Sequence, residues 1–187
     1  MEIPENAPQE ADEFPVTAAI GQSSHNYTTA QLARYASVLA NHGSLYKLTL
    51  VGSIRNEAAG TEQEREPVLS RSLDTVSEET WGTVSGGMRM MAENNRTLGQ
   101  LPLRVAEKTG TAQQSTSRPN HALFIGYAPY EAPEVAVATR IAYGYSSSNA
   151  VEVTADIFRY YFGLETEENL ADDRADLPAS QGNVVAD

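Results

Sequence analysis

Three extended runs in close succession, Leu103–Gln113, Ala122–Ala128 and Val135–Ile141, constrain this chain more than anything else in it. In the first, Leu103, Val105 and the aliphatic part of Glu107 alternate with Arg104, Ala106 and Lys108, the period of two of a pleated strand. The other two are apolar almost throughout (Leu123, Phe124, Ile125; Val135, Ala136, Val137, Ala138), which predicts central strands covered on both faces. Pro129 to Glu134 joins them as the loop of a hairpin. A helix is expected next, from Ala150 to Phe162, capped by Ser148 or Asn149, with Val151, Ala155, Phe158 and Phe162 in one stripe and Ile157 and Tyr161 flanking it.

The first run changes character at Lys108-Thr109-Gly110-Thr111. A structural strand would keep adding Val or Ile; here a cation, two hydroxyls and a glycine arrive together. Glycine lets another backbone approach, lysine offers a point charge for a carboxylate, and threonine hydroxyls rotate to suit a ligand. Lys108, Thr109, Gly110 and Thr111 are therefore the candidate binding residues, suited to an extended anionic peptide added at a sheet edge.

The remaining elements are predicted from pattern. A helix runs from about Thr28 to Asn41, capped by Thr28 or Thr29, with Leu32, Tyr35, Ala36 and Leu39 on one face, and Gly43 ends it. Tyr46–Arg55 reads as a strand with Leu48, Leu50 and Ile54 on one side. Asn56–Glu66 reads as a solvated loop with a hairpin role, and Pro67–Leu73 as a short partner strand. A second helix starts after Ser77, with Glu78 and Glu79 in its positive first turn and Trp81, Val84, Met88 and Met91 as a core stripe. Gly86-Gly87 inside it costs roughly 1 kcal/mol per glycine against alanine and predicts a kink or a close packing contact. Met1–Val16 reads as an extended lead-in.

With 187 residues the chain is one domain or a large piece of one. A net charge of −12 argues against nucleic acid or an anionic membrane surface as partner. Seven acids against one base from Glu165 onward place −6 of that charge in the last 23 residues, which predicts a disordered acidic tail over 164–187. The absence of cysteine excludes disulfides, thiolate metal sites and cysteine nucleophiles. His25, His42 and His121 fall at no metal-ligating spacing, and no phosphate-cradling glycine loop is present, so no cofactor is expected. No long apolar run is present, so no membrane contact by this chain itself is expected.

Ala19-Ile20-Gly21-Gln22-Ser23, Tyr27-Thr28 and the helix to Asn41, then Val105–Gln113 and Asn120–Pro129, resemble in order and spacing the later part of penicillin-binding protein transpeptidase domains. The class B transpeptidases of cell-wall synthesis are the nearest kind. The resemblance covers about Ile3 to Leu164 and implies residues 1–163 as the C-terminal portion of that domain. It implies an α+β, β-lactamase/transpeptidase-like fold, with the last three strands and the covering helices of a larger antiparallel sheet, an incomplete domain. The family's KTG motif falls on Lys108-Thr109-Gly110, where the resemblance implies a hold on the carboxylate of a peptidoglycan stem peptide or a β-lactam. Glu107 departs from the small residue usual there.

The family's serine nucleophile (SxxK) and second motif (SxN) precede the matching segment. Ser44-Leu45-Tyr46-Lys47 spells the first, but it follows a helix-ending glycine and opens a strand, where Ser and Lys three apart face oppositely. Ser24-His25-Asn26 and Ser147-Ser148-Asn149 spell the second, and each reads better as loop or cap chemistry. No catalytic residue is therefore assigned. Two functions are expected to compete: the substrate-binding half of a serine D,D-transpeptidase, inactive alone, or a non-catalytic scaffold module of the same fold. Open edges predict a companion chain carrying the amino-terminal part, or self-association. The resemblance implies work on the outer face of the bacterial membrane.

Overall fold

A computed structural model describes residues 27–113 and 117–165. The expected lead-in, the Ala19–Ser23 segment, the Ser24-His25-Asn26 triplet and nearly all of the acidic tail lie outside the described residues.

Helix α1 spans Thr29–Ala40. Thr28 caps it reciprocally with Gln31: the Gln31 N–H donates to the Thr28 hydroxyl at 3.1 Å, and the Thr28 N–H donates to Gln31 Oε1 at 2.8 Å. Its buried face is Ala36, Val38 and Leu39; Tyr35, expected inside, is exposed. Two successive residues past the helix, His42 and Gly43, have positive φ, and at Gly43 (φ +103°) a side chain would also strike Trp81 at 3.1 Å. The expected strand over 46–55 is broken. What forms is β1 (Ser44–Tyr46) and β2 (Ser53–Asn56), separated by a stretch with no ladder. The expected hairpin role of 56–66 appears as β2 pairing with β3 (Thr61–Glu64), and the expected partner strand as β4 (Leu69–Ser72) pairing with β1.

Helix α2 spans Glu78–Asn94 from an N-cap at Ser77, whose hydroxyl accepts from the Thr80 N–H. Trp81, Ser85, Met88 and Ala92 form its buried face, while Val84 is exposed. Gly86 and Gly87 do not make the close packing contact that is one of the two features expected of them. The helix runs through them, and a side chain at either would meet nothing within 4 Å.

The main sheet is antiparallel, in the order β5 (Ala106–Ala112), β6 (His121–Ala128), β7 (Val135–Ile141). Only β6 is central among the described residues; β7, expected to be central too, is an edge strand whose faces are nonetheless covered from both sides. Ala136 packs against a cluster built from Val38 and Leu39 of α1, Trp81 and Met88 of α2, and Ala106 and Tyr127 of the sheet, whereas Val135, Val137 and Ile141 pack under helix α3 (Ser147–Tyr161). Alternation along each strand thus divides two cores by sheet face. The cap of α3 is Ser146 rather than Ser148 or Asn149: its hydroxyl accepts from the Ser148 N–H at 3.3 Å. Phe158 is fully buried and meets Phe124 edge-on at 6.5 Å. Thr154, polar and fully buried, is satisfied by the Ala150 carbonyl and by Thr139, each at 2.7 Å. A side chain on Gly126 would come within 2.5 Å of the Ala106 carbonyl oxygen, so glycine there lets β5 and β6 close under the Phe124 ring.

Candidate functional site

Strand β5 begins inside the protein and ends outside it. Val105, Ala106 and Glu107 are buried, so the strict alternation expected there fails: both faces of the entry to the strand are covered. Arg89 of α2 ties this entry down by donating from Nη1 to the Val105 carbonyl at 3.0 Å. From Lys108 onward the strand emerges. Lys108 is exposed, and its ammonium donates to the Thr109 carbonyl at 2.5 Å. Thr109 and Gly110 are half-buried and Thr111 is exposed. One edge of β5 pairs with β6 from Ala106 to Ala112; the opposite edge pairs with no strand among the described residues.

A cavity of about 320 Å³ opens beside this strand, between α1 and α2, with apolar walls from Leu39, Met88, Met91 and Ile125; among the described residues Lys108 is the one cation that lines it, and no serine does. Ser44 lies on β1, paired with Ser72, and Lys47 follows that strand, so the SxxK spelling makes no helical pair. In Ser147-Ser148-Asn149, the Asn149 side chain donates to the Gly144 carbonyl at 2.8 Å, as part of the turn into α3. His42 Nδ1 lies 2.8 Å from Glu78 Oε2, and its ring stacks on Trp81, clasping the end of α1 to the start of α2. His121, opposite Ala112, accepts the Tyr143 N–H at Nδ1 (3.0 Å) and so orders the turn after β7. Among the described residues no cluster of three or more His, Asp or Glu is placed to hold a metal, and no helix is long and apolar enough to cross a membrane.

Gly110 sharpens the picture. A side chain built there would sit 3.5 and 3.7 Å from Leu123, ordinary van der Waals contact, and its backbone is not in the left-handed region. Nothing in the described protein requires glycine at this position. Glu107 is the opposite case. It is fully buried, both carboxylate oxygens lack a hydrogen-bond partner among the described residues, and burial pushes its pKa up. The Asn95 side chain and the charge of Lys108 oppose that rise in part. The sequence marks Glu107 only as out of place; its depth is decided by tertiary packing around the start of β5.

A model of the penicillin binding protein transpeptidase domain matches residues 4–160. The peptidoglycan D,D-transpeptidase MrdA of Haemophilus influenzae is 27% identical over 166 residues, 78% of this chain and 25% of that protein. The peptidoglycan D,D-transpeptidase PbpA of Mycolicibacterium smegmatis is 30% identical over 131 residues, 68% of this chain and 26% of that one. Among solved structures, penicillin-binding protein A from M. tuberculosis, as its imipenem acyl-enzyme complex, superposes with a TM-score of 0.65 at 28% identity, over 74% of this chain and 31% of that chain. The D,D-transpeptidase domain of a peptidoglycan glycosyltransferase from Eggerthella lenta gives 0.61 at 28% identity, over 74% and 33%. The chain thus spans about a quarter of the length of the curated relatives it matches. Its fold is the β-lactamase-like α+β fold of those domains, present in part as a three-stranded antiparallel sheet with covering helices. By the order of its elements, by the Lys-Thr-Gly-Thr strand and by these matches, the chain belongs to the penicillin-binding protein transpeptidase domain family.

Proposed function

We propose that residues 1–163 are the substrate-binding portion of a class B serine D,D-transpeptidase that cross-links peptidoglycan and is acylated by β-lactams, with 164–187 an acidic appendage to it. Lys108 pairs with the carboxylate of an extended stem peptide or of the drug, and Thr109 and Thr111 hydrogen-bond to it. The Thr111 N–H serves as one oxyanion donor, a kind of group whose removal costs about 10²–10³ in rate. The observation that carries this reading is Gly110: a glycine that no internal contact requires, between half-buried Thr109 and exposed Thr111, on a strand edge that pairs with no strand among the described residues. A ligand backbone lying against that edge supplies the missing reason.

In the whole enzyme a serine attacks the penultimate carbonyl of a D-Ala-D-Ala peptide, D-alanine leaves, and an amine of a second peptide takes the acyl group. Among the described residues no serine lines the cavity beside Lys108, which supports a chain that is inactive by itself and completed by a piece carrying the nucleophile. The names of the relatives support a place of work outside the cytoplasmic membrane, where peptidoglycan is cross-linked. Incubation of the chain with a fluorescent penicillin is expected to leave it unlabelled; a covalent label on Ser44 would overturn that. When the chain is complemented by a segment bearing SxxK and SxN, labelling is expected to appear and to fall sharply in Lys108→Ala.

A scaffold module of the same fold is the competing reading. The exposed Leu48, Leu50, Val51, Ile54, Val68 and Leu69 favour it, as surface for a companion chain or a second copy. Under that reading Lys108→Ala leaves partner binding intact. A compact monomer by light scattering counts against both companion and self-association.

A further inference from the structure

The arm of residues 47–72 carries a ribbon with two open edges, and the two edges are not alike. Among the described residues β2 and β3 pair only with each other, from Ser53 opposite Glu64 to Asn56 opposite Thr61. Just before that ladder the Arg65 N–H donates to the Gly52 carbonyl at 2.8 Å. Hydrogen-bonded residues alternate along an antiparallel pair, so Gly52, Ile54 and Asn56 turn their backbone groups toward β3. Ser53 and Arg55 turn theirs to the open edge. On β3 the same alternation turns the backbone of Glu62 and Glu64 outward.

The β3 edge is guarded against a second copy. A two-fold axis at Gln63 would set Glu62 of each copy opposite Glu64 of the other, and like charges directly opposite destabilise a pair. The β2 edge has no such guard. A two-fold axis at Ile54 sets Ser53 of each copy opposite Arg55 of the other, and Arg55 is already paired with Glu62 across the ribbon at 3.0 Å. The two Ile54 side chains, exposed in the single chain, then face each other as a non-hydrogen-bonded pair, the closer kind. Charge permits the meeting, because the four bases of residues 47–72 balance their four acids in a chain of net charge −12.

We propose that two copies of this chain join edge to edge along β2, about a two-fold axis at Ile54, into one antiparallel sheet ordered β3–β2–β2–β3. The Ser53 and Arg55 N–H groups of each copy donate to the Arg55 and Ser53 carbonyls of the other. The contact is isologous, so it closes at the dimer. Strand β2 has 4 residues. That is far short of the roughly 20–30 a side of a standard interface, so the dimer is weak, with a Kd of roughly 0.1 mM. At about 1 μM the chain is therefore monomeric. The inference makes definite the second copy that the scaffold reading admits, and it does not depend on Lys108.

The chain has no cysteine, so a single introduced one reports the contact cleanly. Ile54→Cys and Gln63→Cys, which lie opposite each other on one face of the ribbon, are each treated with oxidised glutathione near the expected Kd. Ile54→Cys is expected to give a disulfide-linked dimer and Gln63→Cys to stay single, since only the first residue faces its own copy at disulfide distance. By light scattering the native chain is expected to rise from the mass of one chain toward that of two with concentration. Ser53→Pro, which removes an outward N–H, is expected to hold it at one. Equal cross-linking of both cysteine variants, cross-linking of neither, or a native mass of one chain at every concentration overturns the dimer. A mass that climbs past two chains, or a doubling that survives Ser53→Pro, overturns the β2 edge as its seat. The cysteine comparison and the native mass stand without Ser53→Pro, so misfolding of that variant cannot decide the matter. Penicillin labelling of the complemented chain and its loss in Lys108→Ala are read separately, so failure of the dimer leaves the substrate-binding reading in place.

Discussion

Strand β6 and the arm of residues 47–72 are both rich in apolar side chains, and they meet opposite fates. In β6, Phe124 and Tyr127 are each 1% exposed; in the arm, Ile54 is 55% exposed and Leu50 fully so. The difference is not in propensity. Strand β6 has a partner on each side and helices on both faces, whereas β2 and β3 pair only with each other. An isolated two-stranded ribbon has no layer to bury against and is marginal in water. Pairing satisfies backbone groups; burial needs a second layer.

Three measurements would break or sharpen that contrast. Phe158→Ala removes the ring that α3 lays against Phe124 and should cost about 3–5 kcal/mol in urea unfolding. A loss below 1 kcal/mol would mean that α3 is not a covering layer.

Glu107 is expected to give an intermediate effect with a definite sign. Burial raises its folded-state pKa above the ordinary 4.5. Below that value both folded and unfolded chains hold the proton, and the stability is fully present. As pH rises from there toward the raised folded value, the unfolded chain releases the proton first and stability falls. Glu107→Gln should flatten that decline and raise the melting temperature at pH 7; an unchanged pH profile would place the carboxylate in water. The smallest effect belongs to the arm: Leu50→Ser with Ile54→Ser should change stability by no more than about 0.5 kcal/mol per site. A large loss in the isolated chain would reveal a covering layer, and self-association is the first to look for.

Much of the scaffold was legible because it is written in short-range chemistry. The three strand runs, the hydroxyl caps at Thr28 and Ser77, and the stripe of Val151, Ala155 and Phe158 each follow from a period or an N-cap within a few residues. Lys108-Thr109-Gly110-Thr111 stood out as a break in a strand pattern, and the structure puts it on an unpaired edge beside a cavity. Several of the misses share one cause. Tyr35 and Val84 fit their helical stripes yet face outward, and Leu48, Leu50 and Ile54 suit a strand that has no layer to cover them.

What the sequence determined by itself was therefore most of the elements, their order, and Lys108-Thr109-Gly110-Thr111 as a break in a strand pattern, since each depends on neighbours along the chain. Only the tertiary structure decided which edge of β5 stays open, how deep Glu107 lies, and that His121 and Tyr143 meet at one end of that strand. Those outcomes depend on how sheet and helices stack, and residues 22 positions apart in the chain, as His121 and Tyr143 are, carry no local sign that they will meet.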